Sequence, residues 1–348
     1  MKDRIVRVVC MCAAVAVLAI CSAFGGVVFV SPEGTAEAGG TSWTDAKDLT
    51  SALAGAAEND ELWLKAGTYA PQAQLATDKA LTIRGGFVGT EASADARTGT
   101  ACAVIDGEMA YPTSLASGQI TGLFKVTAAS GTVTFDRIEI TRSYQRGLQV
   151  TGGANVVLEG CRFIDNCYYN QGGYGSSLAM SGRGAYAKGS ETSTLTAVNC
   201  AFEGNVLGSR TGAGSDIGTG ASHGGGLYAA TFASVTLTDC AFVTNGLPTK
   251  ANAKTGRDNC RGGALYAEDA PVTAMRVRFI GNGAISHGPL AGGSAVFLVG
   301  NCGGSSFTNC LFLANFCRSW GATGSYGGAF CAKTLSPGAV TIYGQNPT

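Results

Sequence analysis

The chain has 348 residues, 45% of them hydrophobic and 14% charged, with 52 glycines and as many basic as acidic side chains. That hydrophobic content supports a packed core and excludes a disordered chain; so much glycine without an every-third-residue period excludes collagen and favours many turns. The balanced charge leaves no basic stripe, so the electrostatic footprint of a nucleic-acid binder is missing.

Lys2, Arg4 and Arg7 precede an apolar run from Val8 to Ile20 that is too short to span a bilayer comfortably, and the small residues Cys21-Ser22-Ala23 follow. This pattern predicts a signal peptide at 1–23, cleaved after Ala23. Lipidation at Cys21 and an uncleaved anchor are the alternatives, and the bulky Ile20 speaks against the first. No later run has the length of a membrane-spanning helix. The expected location is therefore outside the cell or on the outer-membrane surface of a bacterium.

Residues 27–110 read as a cap and first coils. Val27–Val30 is a short strand. Leu49, Leu53 and Ala56 at helical spacing predict an amphipathic helix over 45–57, started by Thr44 or Asp45. Strand signals follow at 61–65, which Gly67-Thr68-Tyr69 ends, and then at 81–84, 103–107, 123–127 and 132–141.

From 156 to 348 the chain repeats. Phe-x-x-Asn recurs at Phe163/Asn166, Phe202/Asn205, Phe242/Asn245, Phe279/Asn282 and Phe312/Asn315, with steps of 39, 40, 37 and 33 residues. Periods of this size are the signature of stacked repeats. Two positions before each Phe stand Cys161, Cys200, Cys240, Val277 and Cys310. Five and seven positions before it are mostly apolar residues. Odd and even offsets cannot share one face of a straight strand, because side chains alternate. The parity must break at the intervening Gly160, Asn199, Asp239, Arg276 or Asn309, and four of these five types tolerate the left-handed conformation. A third strand follows a glycine pair in each unit: Gly182-Arg183-Gly184-Ala185-Tyr186, Gly224-Gly225-Gly226-Leu227-Tyr228, Gly262-Gly263-Ala264-Leu265-Tyr266, Gly292-Gly293-Ser294-Ala295-Val296 and Gly327-Gly328-Ala329-Phe330-Cys331.

Three short strands, sharp bends and one long loop per unit predict an all-β, single-stranded, right-handed parallel β-helix over 27–348, with the short N-terminal helix capping its first coil. The loops (206–223, 246–261, 283–291 and 316–326) should leave from one corner. A propeller would need four strands per unit and does not explain the parity break. The chain stops soon after a Gly-Gly unit, with no recognisable closing element.

The Gly-Gly and Phe-x-x-Asn units resemble the repeats of polymorphic outer membrane proteins. The head segment is similar to that of secreted bacterial β-helix proteins of pectin-lyase-like fold; the residues concerned are Gly40-Thr41-Ser42-Trp43, Asp60-Glu61-Leu62-Trp63-Leu64, Ala66-Gly67-Thr68-Tyr69, Gly85-Gly86-Phe87 and Ile105-Asp106-Gly107. The resemblance to polymorphic outer membrane proteins implies a surface-displayed passenger, although their C-terminal membrane barrel has no counterpart here. The resemblance to the pectin-lyase-like fold implies polysaccharide lyase or glycoside hydrolase chemistry, with clustered carboxylates, Ca²⁺ or an Arg or Lys base.

Few residues suit such chemistry. Asp136, Arg137 and Glu139 are the acid–base candidates, but Asp136 and Glu139 fall on opposite faces of a straight strand. Asp165, Asp239, Asp258 and Asp269 are scattered. His223, seven residues after Asp216, and His287 are the two histidines, and both are expected at the solvated surface. Cys161, Cys200, Cys240 and Cys310 read as small core residues; one or two disulfides are expected among Cys167, Cys260, Cys302, Cys317 and Cys331. No C-x-x-C pair suggests zinc. The Asn column (Asn166, Asn205, Asn245, Asn282 and Asn315) reads as a structural ladder. Tyr168, Tyr169, Tyr174, His223, His287, Trp320 and Tyr326 form the candidate binding face on the loop side.

The sequence therefore favours a non-catalytic presenter of a binding face, adhesin-like or glycan-associated. Its expected partner is a polysaccharide or a host or cell-surface glycoconjugate, and it implies no cofactor, no metal and no catalytic residue. A carbohydrate-active enzyme and a structural passenger of a larger autotransporter-like protein are the rivals. Nothing in the repeat specifies an oligomeric state.

Overall fold

The computed structural model describes residues 25–98, 102–108, 122–143, 146–168, 180–181, 184–209, 222–246, 260–286, 291–319, 325–333 and 339–343. The expected signal peptide lies outside the described residues. Nearly all described structure is parallel strand, wound as a solenoid with three long ladders. Face A has ten strands, from Val27–Thr35 to Thr341–Tyr343; face B has eight, from Gly67–Tyr69 to Leu311–Leu313; face C has eight, from Leu75–Thr77 to Phe330–Lys333. The chain visits A, B and C in turn, and each strand pairs with its counterpart one coil away. Face A, for example, matches Val235 to Leu195 on one side and to Val272 on the other.

The parity break between faces A and B is a single left-handed residue. Its φ is +59° at Gly160, +54° at Asn199, Asp239 and Arg276, and +53° at Asn309. Arg276 is the least expected of these types. Its guanidinium donates two hydrogen bonds of 2.6 Å to the Asp239 carboxylate at the same bend one coil earlier. The same break divides 132–141, which the sequence reads as one strand, at Arg137 (φ +54°) into Thr132–Asp136 on face A and Ile138–Thr141 on face B.

Along the repeat, from Cys167 onward, each coil holds more than three strands. Left-handed residues two positions after the Phe (Asp165, Gly204, Thr244, Gly281, Ala314) turn the chain again. Short ladders then fill stretches expected to be loop. Gly283–Ser286 pairs with Phe316–Ser319, and a five-stranded ladder joins Met180–Ser181, Ser222–His223, Cys260–Arg261, Ala291–Gly292 and Ser325–Tyr326. One glycine of each pair is left-handed and leads into face C: the first at Gly224, Gly262 and Gly327, but the second at Gly293.

Inside the tube like stacks on like. Phe163, Phe202, Phe242, Phe279 and Phe312 form a column with ring centroids 5.0, 4.5, 5.1 and 4.9 Å apart and nearly parallel planes. Such stacking adds to the burial of each ring.

The Asn side chains form a continuous amide ladder beside that column. Asn166 is its first rung: its Nδ2 donates to Ile140 O (2.9 Å) and to Asn205 Oδ1 (3.1 Å). The coil before it carries Ser143 in place of an Asn, and there Asn166 Oδ1 accepts from Ser143 N at 3.1 Å. Asn205 Nδ2 donates to Phe163 O (2.8 Å) and to Asn245 Oδ1 (2.9 Å); Asn245 Nδ2 donates to Phe202 O (2.7 Å) and to Asn282 Oδ1 (3.0 Å). Asn282 Nδ2 in turn donates to Phe242 O and to Asn315 Oδ1, both at 2.9 Å. Asn315 is the last rung among the described residues, and its Nδ2 donates to Phe279 O at 2.8 Å. Each buried amide is thereby satisfied at the turn where backbone pairing stops.

Cys161, Cys200 and Cys240 are buried, and their thiols donate to backbone carbonyls of the same and the preceding coil. Hydrogen bonding from its own S–H towards Cys161 and Cys240, together with burial, pushes the Cys200 thiol up, so it stays protonated. The last unit departs from the expected interior columns. Asn166, Asn205, Asn245 and Asn282 are fully buried, whereas Cys310, Phe312 and Asn315 are only half-buried. Among the described residues face B ends at Leu311–Leu313, so these three side chains have a paired coil on one side only.

The N-terminal helix is shorter and later than its sequence pattern. Lys47 makes isolated bridges with Val30 and Thr35, and Ala46 is extended (φ −75°, ψ 139°), so residues 46–48 cannot be helical. Trp43–Asp45 is one 3₁₀ turn. The helix, α1, spans Leu49–Gly55 and is capped by Asp48, whose carboxylate accepts from Ser51 N at 2.9 Å. Asp45 instead accepts from Gly39 N and Thr41 Oγ1. Leu49, Ala52, Leu53 and Ala56 still face the core. Gly67-Thr68-Tyr69 does not end a strand but begins face B, after a backbone turn at Gly67 (φ +147°). No helix among the described residues is long and apolar enough to cross a membrane.

Candidate functional site

The outer surface of face C carries a second ladder, which the sequence reading passed over. Strand register aligns Lys125, Gln149, Tyr186, Tyr228, Tyr266, Phe297 and Cys331 in one outward column. Its four central rings stack with centroids 4.8, 5.3 and 5.6 Å apart and planes within 8°. The signal was in the sequence: an aromatic residue follows the small-apolar pair in four successive units, on the strand face opposite Leu227 and Leu265, which point into the core.

A further layer lies on this column. Arg146 places its guanidinium 3.9 Å from the Tyr186 centroid, and Arg261 sits 5.2 Å from that of Phe297. His223 stacks on Tyr266 at 4.3 Å with planes 7° apart. His223 and Arg261 occupy matching places in the five-stranded ladder, and each covers the ring of the next coil. Tyr266 and Phe297 are buried as a result.

This corrects the expectation of a solvated His223. Burial, reinforced by the Arg261 charge, presses its pKa down to about 4, so the imidazole is neutral near neutral pH. Its Nε2 is buried without a hydrogen-bond partner among the described residues, as is Gln149 Oε1. Tyr228 donates to Glu268 Oε2 at 2.6 Å, and burial and that hydrogen bond raise the phenol's pKa far above its ordinary value.

The ladder is interrupted at Gly292, which stands between Arg261 and Tyr326 in register. The sequence reading aligned Gly292 with the turn glycine Gly224. The left-handed residue is Gly293, so Gly292 takes the place that His223 and Arg261 hold in earlier coils. Lacking a side chain, it leaves a groove of about 380 Å³ lined by Arg261, Ala291, Gly292, Phe297, Cys331, Ala332 and Lys333. A second groove of about 390 Å³ lies at the opposite end of the same face, beside α1, with Gln74, Asp78, Lys79 and Lys125 among its lining.

Of the other residues singled out from sequence, Asp136 and Glu139 lie on faces A and B, away from this site. Tyr169, Tyr174, His287, Trp320, Asp216 and Asp258 lie outside the described residues; the backbones of Tyr168 and Tyr326 lie in short outer strands. Asp136 is buried and accepts from Arg84 (3.0 Å) and Arg97 (2.8 Å), while Glu139 pairs with Arg162 at 3.1 Å. Both carboxylates are thus committed to ion pairs. The disulfide expectation fails for Cys302, Cys317 and Cys331, which are unbridged; Cys302 and Cys317 donate to Val299 O and Gly328 O, each at 3.2 Å. Among the described residues no group of three or more His, Cys, Asp or Glu side chains is placed to hold a metal ion.

No family model and no curated protein matches the chain. Among solved structures it is similar to pectate lyase Pel9A, at 14% identity and TM-score 0.47 over 91% of this chain and 79% of that one. It is also similar to ORF18 of Geobacillus virus E2, at 13% identity and TM-score 0.33 over 88% of this chain and 62% of that one.

Proposed function

We propose that the protein is an exported, non-catalytic β-helix that binds an extended polysaccharide along the outside of face C. One observation carries this reading: a single outward column runs from Lys125 to Cys331 and meets a groove at each end, with Lys79 and Lys125 at one and Arg261 and Lys333 at the other. At about 4.8 Å per rung the ends are roughly 29 Å apart, the reach of a short oligosaccharide. The surface between them is rigid, because the covering groups Arg146, His223 and Arg261 are already packed on the rings beneath. A preformed surface of this kind binds without the entropy cost of ordering. Glu268, a carboxylate in contact with the column, is engaged by Tyr228, whereas glycoside hydrolysis needs a pair of acids across the scissile bond.

A glycan array, run beside an assay for unsaturated-sugar release from polyuronates, tests the reading. Binding to oligosaccharides without sugar release is expected, with affinity rising with chain length and falling in a Lys125→Gln/Lys333→Gln double variant. Release of unsaturated products, or binding indifferent to chain length, would replace it with an enzyme or with a site confined to one end.

A further inference from the structure

We propose that the groove at Gly292, which the polysaccharide reading uses only as the end of its path, is a binding site for a small aromatic carboxylate, a function that does not rest on that reading. The layered ladder defines what is missing there. On the preceding coils a planar group, His223 or Arg261, lies over an aromatic ring of the next coil. At the following step the covering residue is Gly292 and the outward residue below is Cys331, so neither layer supplies a planar group. A ring entering the groove continues the stack beyond Phe297 and takes the place that a side chain at 292 would fill.

The lining sets the rest of the ligand. Ala291, Gly292, Phe297, Cys331 and Ala332 offer mainly apolar contact and few partners for the hydroxyls of a sugar. Arg261 and Lys333 are its two charged residues, both cationic, and no carboxylate among the described residues lines it. A volume near 380 Å³ falls within the range of small-molecule sites. An anion beside a guanidinium in a partly desolvated groove gains charge-assisted hydrogen bonds that a neutral group does not. Ring and carboxylate together therefore match the groove where either alone matches half of it.

Titration of the full chain with benzoate, benzamide and glucuronate, followed by calorimetry or ligand-observed NMR, tests the assignment. Benzoate is expected to bind; benzamide, which lacks the charge-assisted hydrogen bond, and glucuronate, which lacks the stacking ring, are each expected to bind at least about 10-fold more weakly. Gly292→Tyr should abolish benzoate binding while leaving the circular dichroism unchanged. The backbone at 292 is not left-handed, and the ladder already carries His223 and Arg261 at the matching place. Lys333→Gln, at an exposed position, should weaken benzoate about 10-fold and serves if the tyrosine variant does not fold. Absence of benzoate binding, equal binding of benzamide or glucuronate, or full binding by a folded Gly292→Tyr or by Lys333→Gln would each overturn the proposal. The polysaccharide reading stands or falls separately, on chain-length dependence.

Discussion

At its N-terminal end the tube is held by unlike residues that meet across long sequence separations; along the repeat it is held by like residues one coil apart. In the first coils Phe29 meets Trp43 and Trp63 edge-on, and Trp63 stacks on Phe87 at 4.8 Å. Trp43 Nε1 donates to Glu91 O, while the Glu91 carboxylate collects the N–H groups of Val88, Gly89 and Thr90. Burial opposes ionisation of Glu91, but these donors outweigh it and hold the carboxyl below its usual range. Asp136 ties Arg84 and Arg97 together across coils. Among the described residues the repeat has no such hub. Its Phe rings and Asn amides meet their counterparts above and below and its Cys thiols donate to backbone carbonyls, so the same local chemistry recurs with every coil as far as Asn315, the last described rung. A hub concentrates stability in a few charges, whereas a ladder spreads it over neighbouring interfaces.

The strongest test of the ladder is Phe242→Ala. It removes one ring from a column stacked on both sides and should cost about 4 kcal/mol in urea denaturation, through lost burial and a residual cavity. A loss below about 1 kcal/mol would mean that the column can collapse around a missing rung. The corresponding test of the hub is Asp136→Ala, which leaves Arg84 and Arg97 without their shared partner in a partly buried site. It should cost about 3 kcal/mol, with a salt dependence that Phe242→Ala does not show.

The outer layer of face C has its own signature. The folded His223 binds its proton below its unfolded value of 6.5, so the unfolded chain binds more protons between that value and about 4. Stability should therefore be fully present above pH 6.5 and fall as pH drops towards 4, by about 3 kcal/mol. The tyrosine-stacked imidazole is the source if His223→Phe flattens that slope in thermal melts at a series of pH values. The smallest effect belongs to the cap. Asp48→Ala should cost about 1 kcal/mol, through loss of the carboxylate that accepts from Ser51 N.

The repeat was legible because every coil repeats the same physical demand. Phe, Asn and the left-handed bend recur at fixed offsets, and side-chain alternation alone required the turn that φ values at Gly160, Asn199 and Asp239 display. The ends of the columns were not legible in the same way. Asn166 and Asn315 carry the same motif, yet one is fully buried against Ser143 and the other is half-buried where face B stops. The outer site was less legible still, because it depends on which residues of neighbouring coils come into register. A sequence alignment can set Gly292 beside Gly224, since both precede a glycine and an apolar strand. Only the backbone decides that Gly293 makes the turn and that Gly292 falls in the place of Arg261.

By itself the sequence determined the parallel solenoid and the identity of its inner columns, because period and alternation act locally and repeat without ambiguity. Tertiary structure alone decided that α1 begins at Leu49, that His223 is packed on Tyr266 and that a groove opens at Gly292. These depend on contacts between coils tens of residues apart, where a bridge at Lys47 or one missing side chain redirects what lies beside it.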